Sequence, residues 1–150
     1  MERIRSLAPH AARLLLGLVF FVFGLNGFLG FIPNPPHAAG ADAFLGALAA
    51  TGYMFPLIKG TEVVAGLLLL TNRFVPLALV LLAPVIVNIV LFHALLDPAG
   101  MVVPIVVLAL ELALAWAYRD AFRAVLAPKT ALATATPSGA RKGAHQVATV

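Results

Sequence analysis

The sequence predicts an all-α integral membrane protein, a four-helix up-down bundle with a short surface helix in its first outer loop. Three observations support this. The 150 residues are 62% hydrophobic and only 11% charged, whereas soluble domains are about 45–50% apolar and about 25% charged. Mean hydropathy is +1.03. Apolar runs of membrane-spanning length recur along the chain, and all Lys and Arg residues except Lys59 occur in alternate connecting segments.

The predicted spans cover about residues 14–32, 53–71, 74–96 and 101–118. Each is close to the ~20 mostly apolar residues that a membrane helix requires. Pro33, Pro35 and Pro36 end the first span, and Asp97-Pro98-Ala99-Gly100 forms a tight turn before the fourth. We therefore expect a membrane domain over residues 1–127. Residues 128–150, rich in Ala, Thr, Pro and Gly, are expected to form a disordered cytoplasmic tail.

Basic residues indicate the orientation, because Lys and Arg are enriched in cytoplasmic loops. Of the ten Lys and Arg residues, only Lys59 lies inside a span. The loops 33–52 and 97–100 contain none. All the others fall on one side: Arg3, Arg5, Arg13, Arg73, Arg119, Arg123, Lys129, Arg141 and Lys142. The predicted location is the plasma membrane, with both termini cytoplasmic.

The first outer loop carries apolar residues at helical spacing. Phe44, Leu45 and Leu48 follow Asp42, a pattern that predicts a short helix on the outer membrane surface or across the end of the bundle. An alternative for the preceding span is a signal peptide, since Ala39-Gly40-Ala41 resembles a cleavage site. The apolar run 14–32 exceeds the ~7–15 residues of a signal core, which favours a retained helix.

Two charged residues lie within the second span. Glu62 is near its middle, and Lys59 precedes it by one helical turn. A charge at the centre of a membrane helix costs about 2.5–3.5 kcal/mol on insertion scales. Glu62 should therefore face the bundle interior, with Lys59 neutralising it at i,i+3 spacing or extending toward the outer surface.

Other polar residues fall at similar depths. At ~1.5 Å per residue, Asn26 and Lys59 lie about 18 Å above the cytoplasmic ends of their helices, Asn88 about 21 Å and Glu62 about 13–14 Å. We expect these four to meet in one polar layer, where Asn26 or Asn88 donates to Glu62. The competing interpretation is structural: polar side chains hydrogen-bond between helices in many membrane bundles.

Two further polar residues complete the candidate site. Glu111, about 10 Å deep, should enter the same interior from below, while His93, about 28 Å up, belongs near the outer surface. His93 is the only histidine in a span, so a bis-histidine haem is excluded.

Several chemistries are excluded by composition and motif. Without cysteine, the chain has no disulfide, catalytic thiol or thiolate metal ligand. It contains no HExxH motif and no phosphate-binding glycine loop. Its basic residues are placed as topology signals, so nucleic acid is not an expected partner. We expect no enzymatic activity from the chain alone.

The residues resemble the DoxX-like family of small membrane proteins over about residues 11–127. The resemblance rests on ARLLLGLVFFVFGLNGF, TGYMFPLIKGTEVVAGLLLL and NRFVPLALVLLAPVIVNIVLFH, and the acidic residue before GLLLL is the most specific part. It implies a compact four-helix bundle with cytoplasmic termini. It also implies an accessory role beside an oxidoreductase, since the family is named for a subunit of a quinol- or thiosulfate-linked respiratory complex. No catalytic motif transfers.

The leading functional hypothesis is a membrane subunit or accessory factor of a redox system, contacting quinone or another lipid-soluble ligand without a covalent cofactor. In it Glu62 accepts or relays a proton, Asn26 and Asn88 orient a headgroup, and Lys59 sets the charge. The partners would be the bilayer and either a redox enzyme or a second copy of the chain. The alternatives are a dimeric proton-coupled transporter using Glu62 and Glu111, and a scaffold or assembly factor.

Overall fold

The computed structural model describes residues 2–33, 36–123 and 125–128, so the predicted tail lies outside it apart from residue 128. Within this part of the chain every regular element is helical, which confirms the all-α class. The elements are α1 (Glu2–Leu29), α2 (Ala39–Ala50), α3 (Met54–Leu70), α4 (Val75–Leu95), a 3₁₀ helix (Pro98–Gly100), α5 (Val102–Ala117) and α6 (Arg119–Phe122).

Two helices are long and apolar enough to cross a membrane, the Leu7–Leu29 part of α1 and α4. The bounds of α3 and α5 are close to the second and fourth predicted spans, but these helices are shorter, at 17 and 16 residues. The first span differs most from prediction, because α1 begins at Glu2 rather than near residue 14. Hydropathy ignores the helix-forming Arg, Leu and Ala residues that precede the apolar run.

The C-terminal end of α1 depends on Gly30. This residue has a φ of +62°, and its N–H donates to the Asn26 carbonyl at 2.8 Å. A left-handed residue after the last turn is a common way for a helix to end, and glycine adopts it without a Cβ clash. The helix therefore ends at Leu29, before the prolines that the prediction used as its stop.

Helices α1 and α3 pack against each other more extensively than any other pair. Gly17 of α1 faces Leu69, whereas Gly24 faces Val63, so the two helices run antiparallel. A methyl group added to Gly24 would lie 2.9 Å from the backbone nitrogen of Val63. The glycines on α1 thus permit backbone contact, the arrangement that favours helix association in a bilayer.

One apolar core joins the four long helices. α1 contacts α3, α3 contacts α4, α4 contacts α5, and α5 contacts α1. Apolar side chains from all four are buried there: Leu16, Phe20, Ala65, Leu69, Val75, Ala78, Leu79, Leu82, Ile86, Val107 and Leu114.

Arg13 is a buried basic residue, only 7% exposed, beside the C-terminal end of α3. Its Nη1 donates to the carbonyl of Leu69 and, at 3.4 Å, to that of Leu70. The last carbonyls of a helix have no intrahelical donor, and a cation near them is favoured by the helix dipole. Arg13, which the sequence marked only as a topology signal, therefore caps the C-terminal end of α3.

The predicted short helix of the first outer loop is α2. The chain turns by 93° between α2 and α3, so α2 lies across the end of the bundle. Phe44 packs against Phe92 of α4, with ring centroids 5.8 Å apart. His37, just before α2, pairs through Nδ1 with Asp97 Oδ2 at 3.0 Å. These contacts attach the segment between α1 and α3 to the end of α4.

Candidate functional site

Glu62 and Lys59 form an ion pair inside the bundle. Lys59 Nζ lies 2.8 Å from Glu62 Oε2 and 3.1 Å from Oε1. Glu62 is only 3% exposed, so its predicted interior position is confirmed. Of the two placements expected for Lys59, the structure shows the i,i+3 pairing with Glu62.

The ion pair is covered by α1. A methyl group on Gly24 would meet the Glu62 Cβ at 3.0 Å, and one on Gly27 would overlap the Lys59 stem. A buried pair roughly balances desolvation against attraction, and leaving one partner alone is costly. Both carboxylate oxygens accept a hydrogen bond from Lys59 Nζ, so Glu62 is paired within its own helix. The geometry is that of an ion pair within α3, neutral overall, that packs against α1.

The expected polar layer around Glu62 does not form. Asn26 instead bonds to the backbone just beyond the end of its own helix. Its Nδ2 donates to the Ile32 carbonyl at 3.2 Å, and its Oδ1 accepts from the Ile32 N–H at 2.6 Å. The amide is therefore used by the local turn. The prediction that Asn26 reaches Glu62 is wrong, because the prediction took α1 to remain helical to residue 32.

Asn88 and His93 also lie apart from Glu62. Asn88 is exposed on the outside of α4, so its placement in the layer was wrong as well. Counting residues gave its depth but not the direction in which it points around the helix. His93 is half-buried, and its Nδ1 is 2.9 Å from the Ile89 carbonyl. Its ring stands edge-on to Phe92, with centroids 5.0 Å apart.

Glu111 is buried in α5, at 6% exposure, and its Oε2 has no hydrogen-bond partner among the described residues. It makes no ion pair with any described basic residue. Glu111 does not join the interior that holds Glu62; it lines a groove between α4 and α5. A carboxyl in this setting lacks the compensation that Lys59 provides to Glu62.

The groove has a volume of about 420 Å³. Its walls are apolar apart from Glu111 and a basic residue at one end: Leu79, Val80, Ala83, Leu112, Ala115, Trp116, Arg119, Phe122 and Leu126. Arg119 stacks over the Trp116 ring at 5.3 Å and donates through Nη1 to the Trp116 carbonyl at 3.1 Å. An aromatic–cation pair therefore lies at the end of the groove formed by the C-terminal end of α5 and by α6.

Sequence reasoning identified Glu111 but missed its neighbours. Helical spacing is the signal that could have found them. Residues 111, 115 and 119 recur at i, i+4 and i+8, so they lie toward one face of the helical segment. α6 follows α5 directly and carries Arg119 and Phe122 to the same groove. In the described residues no group of three His, Asp or Glu side chains is placed to hold a metal ion.

Comparison with known proteins found one family model that matches the chain. The model, described as DoxX, matches residues 8–94, more than half of the chain. It includes Lys59 and Glu62 and ends before Glu111. No curated protein and no solved structure shows significant similarity to the chain.

Proposed function

Since this chain belongs to the DoxX family, we propose that it is an accessory membrane subunit of a quinone-linked redox system. It forms a four-helix up-down bundle in the plasma membrane, with both termini cytoplasmic. It binds a lipid-soluble molecule of the quinone class in the groove at Glu111. A partner enzyme supplies the electron carrier, because the chain has no cysteine and only one histidine in a predicted span.

The four-span arrangement requires the two shorter helices, α3 and α5, to cross the bilayer, and it is supported by the aromatic residues at the helix ends. At ~1.5 Å per residue, α3 is about 26 Å long and α5 about 24 Å, somewhat less than the ~30 Å hydrocarbon core. A bilayer accommodates such short helices by thinning locally. Tyr53 precedes α3, while Trp116 and Tyr118 lie at the end of α5, where aromatic residues anchor helices at the interface.

The proposed orientation can be tested with single cysteines, since the chain has none of its own. Ala43→Cys in α2 and Ala99→Cys in the 3₁₀ helix are exposed sites on the proposed outer side. Thr71→Cys and Ala121→Cys are exposed on the proposed cytoplasmic side. A membrane-impermeant maleimide should label the first two in intact spheroplasts and the second two only after permeabilisation. The reverse pattern would contradict the orientation.

One observation carries the ligand-binding role: a 94% buried carboxyl with an unpaired oxygen lines an otherwise apolar groove. Ionisable residues within membrane segments that lack a partner usually mark functional sites. A volume of about 420 Å³ lies within the ~300–1,000 Å³ of small-molecule sites. The apolar walls suit a ring with an alkyl tail, and the unpaired oxygen suits the polar edge of that ring.

The groove can be blocked by one substitution. Ala83→Phe places a ring where Ala83 now lines the groove, whereas Val87→Phe adds the same ring to an exposed position of α4, four residues further on and outside the groove. We expect Ala83→Phe to weaken binding of a decyl-substituted benzoquinone or its hydroquinone at least about tenfold, as overpacking would. Val87→Phe should bind like the wild type.

Binding is measured by calorimetric titration of the protein in nanodiscs, with empty nanodiscs as the partition blank. For the quinone form, quenching of Trp116, the single tryptophan and a groove residue, gives a second readout. If the wild type binds neither form saturably, the ligand-binding role is contradicted, and the scaffold hypothesis becomes the better account.

A further inference from the structure

Asn88 is a polar side chain on the outward side of α4. It is exposed, and it makes no side-chain hydrogen bond with any other described residue. At ~1.5 Å per residue it lies about 10 Å from the C-terminal end of α4, within the length that the hydrocarbon core covers. Its side chain is too short to reach the interface, as Lys and Arg side chains do. An amide left in lipid without a hydrogen bond is unfavourable, so Asn88 requires a partner outside its own chain.

Asn88 differs from the polar side chains of the neighbouring helices. Thr61 is also exposed, but its hydroxyl donates to the Leu57 carbonyl at 2.9 Å. Asn26 uses its amide at the end of α1, and Glu111 is buried between α4 and α5. Asn88 instead presents an unused donor and an unused acceptor on the outer surface of the bundle.

Asn88 also belongs to a heptad pattern on the outward face of α4. Residues at alternating steps of four and three, the spacing of a helix–helix seam, are Leu77, Leu81, Pro84, Asn88, Leu91 and Leu95. Five of these six are exposed, and Leu81 is half-buried. Apolar residues alone would suit lipid equally well. A single Asn at an a position, with Leu81 and Leu95 at the adjacent a positions, is the feature that sets the register and the number of helices in such a seam.

We propose that this face of α4 is a self-association surface, at which two copies of the chain form a parallel dimer with their Asn88 amides paired. Both copies insert with the same orientation, so the two-fold axis is normal to the bilayer and each residue of the seam faces its own counterpart at the same depth. A carboxamide is self-complementary, because Nδ2 donates and Oδ1 accepts. Each Asn88 therefore satisfies the other, whereas a lipid chain offers neither a donor nor an acceptor.

The dimer surface is separate from the groove at Glu111. At about 100° per residue, the groove residue Ala83 lies about 140° round α4 from Asn88. The inference therefore goes beyond the proposed function and does not depend on it. It requires only that α4 crosses the bilayer, for which this helix is long and apolar enough.

Disulfide crosslinking tests the surface, because the chain has no cysteine of its own. Leu91→Cys lies on the seam, and Val106→Cys is a comparably exposed position on α5, outside the seam and the groove; the native residues are 51% and 48% exposed. Oxidation with copper phenanthroline in liposomes should give a covalent dimer as the main product of Leu91→Cys, while Val106→Cys stays monomeric. Equal crosslinking at both positions, or none at either, would overturn the inference.

Asn88→Leu tests the amide itself, since it removes the donor and the acceptor, keeps a side chain of similar size and makes the span more apolar. Copies labelled with donor or acceptor dyes at Ala99→Cys report the dimer fraction by energy transfer as liposomes are diluted with lipid. We expect the dissociation constant to rise at least about tenfold, as the loss of two interhelical hydrogen bonds implies. Asn88→Gln keeps the amide and should stay within about threefold of the wild type.

Two results of the dilution series would overturn the inference. One is wild-type protein that is monomeric at every lipid ratio, which would leave Asn88 to a different partner. The other is a dissociation constant that Asn88→Leu does not change, which would mean that the amide does not hold the copies together.

Discussion

Gly66→Ala should separate α1 from α3 and lower the free energy of unfolding by about 1–3 kcal/mol, the usual cost of adding a methylene to a closely packed site. A methyl group at Gly66 would lie 2.6 Å from the backbone nitrogen of Phe21 and 2.9 Å from the Gly17 carbonyl oxygen. Both obstacles are backbone atoms of α1, so no side-chain rotation relieves the overlap. The helix itself must move.

The matched control is Gly60→Ala in the same helix, where no atom lies within 4 Å of the added methyl group. There the substitution should be neutral or stabilising by up to ~1 kcal/mol, since alanine forms helices better than glycine. Thermal unfolding in detergent, followed by circular dichroism, measures both variants. If the two substitutions have the same effect, backbone contact at Gly66 is not what holds the helices together.

Lys59→Met and Glu62→Leu should each destabilise the protein strongly, whereas the double variant should recover most of the loss. Each single variant leaves one charge of a buried pair without its partner, which costs about 3–5 kcal/mol in proteins. Removing both leaves apolar side chains of similar size, a change that is often neutral. The side chains are 22% and 4% exposed for Lys59 and Glu62, so water compensates neither fully.

Glu62→Gln provides the graded member of this series, because its amide oxygen still accepts from Lys59 Nζ without a charge. Its stability should fall between that of wild type and Glu62→Leu. Arg123→Met is the control, since the Arg123–Asp120 pair is exposed, at 81% and 71%, and such pairs contribute about 0–1 kcal/mol. Additive losses in the double variant, measured by denaturant titration in micelles, would mean that the two charges act independently.

The apolar helices were predictable because their signal is local. The observed bounds of α3, α4 and α5 differ little from the predicted spans, since hydropathy and turn residues alone mark where an apolar run begins and ends. The burial of Glu62 and its pairing with Lys59 were predictable for a related reason. The cost of a lone charge in lipid determines the side it faces, and i,i+3 spacing determines a partner within reach.

The polar layer was not predictable, because residue counting measures depth and not direction. Asn26 and Asn88 lie at suitable depths, yet one closes the end of α1 and the other faces outward. An amide at a helix end has a local backbone partner that competes with any distant one. No property of residues 26 and 88 alone indicates which partner is nearer.

The sequence by itself determined that this chain is helical, apolar enough for a membrane, and bound to bury Glu62, with Lys59 within reach as a partner. Those outcomes follow from transfer free energies and from spacing within one helix. Only the tertiary structure decided that Glu62 is sealed against α1 while Glu111, beyond the family match, keeps an unpaired oxygen in a groove between α4 and α5. The physical reason is that access to a buried carboxyl depends on the neighbouring helix: two glycines of α1 let it close over one carboxyl, whereas α4 and α5 leave space beside the other.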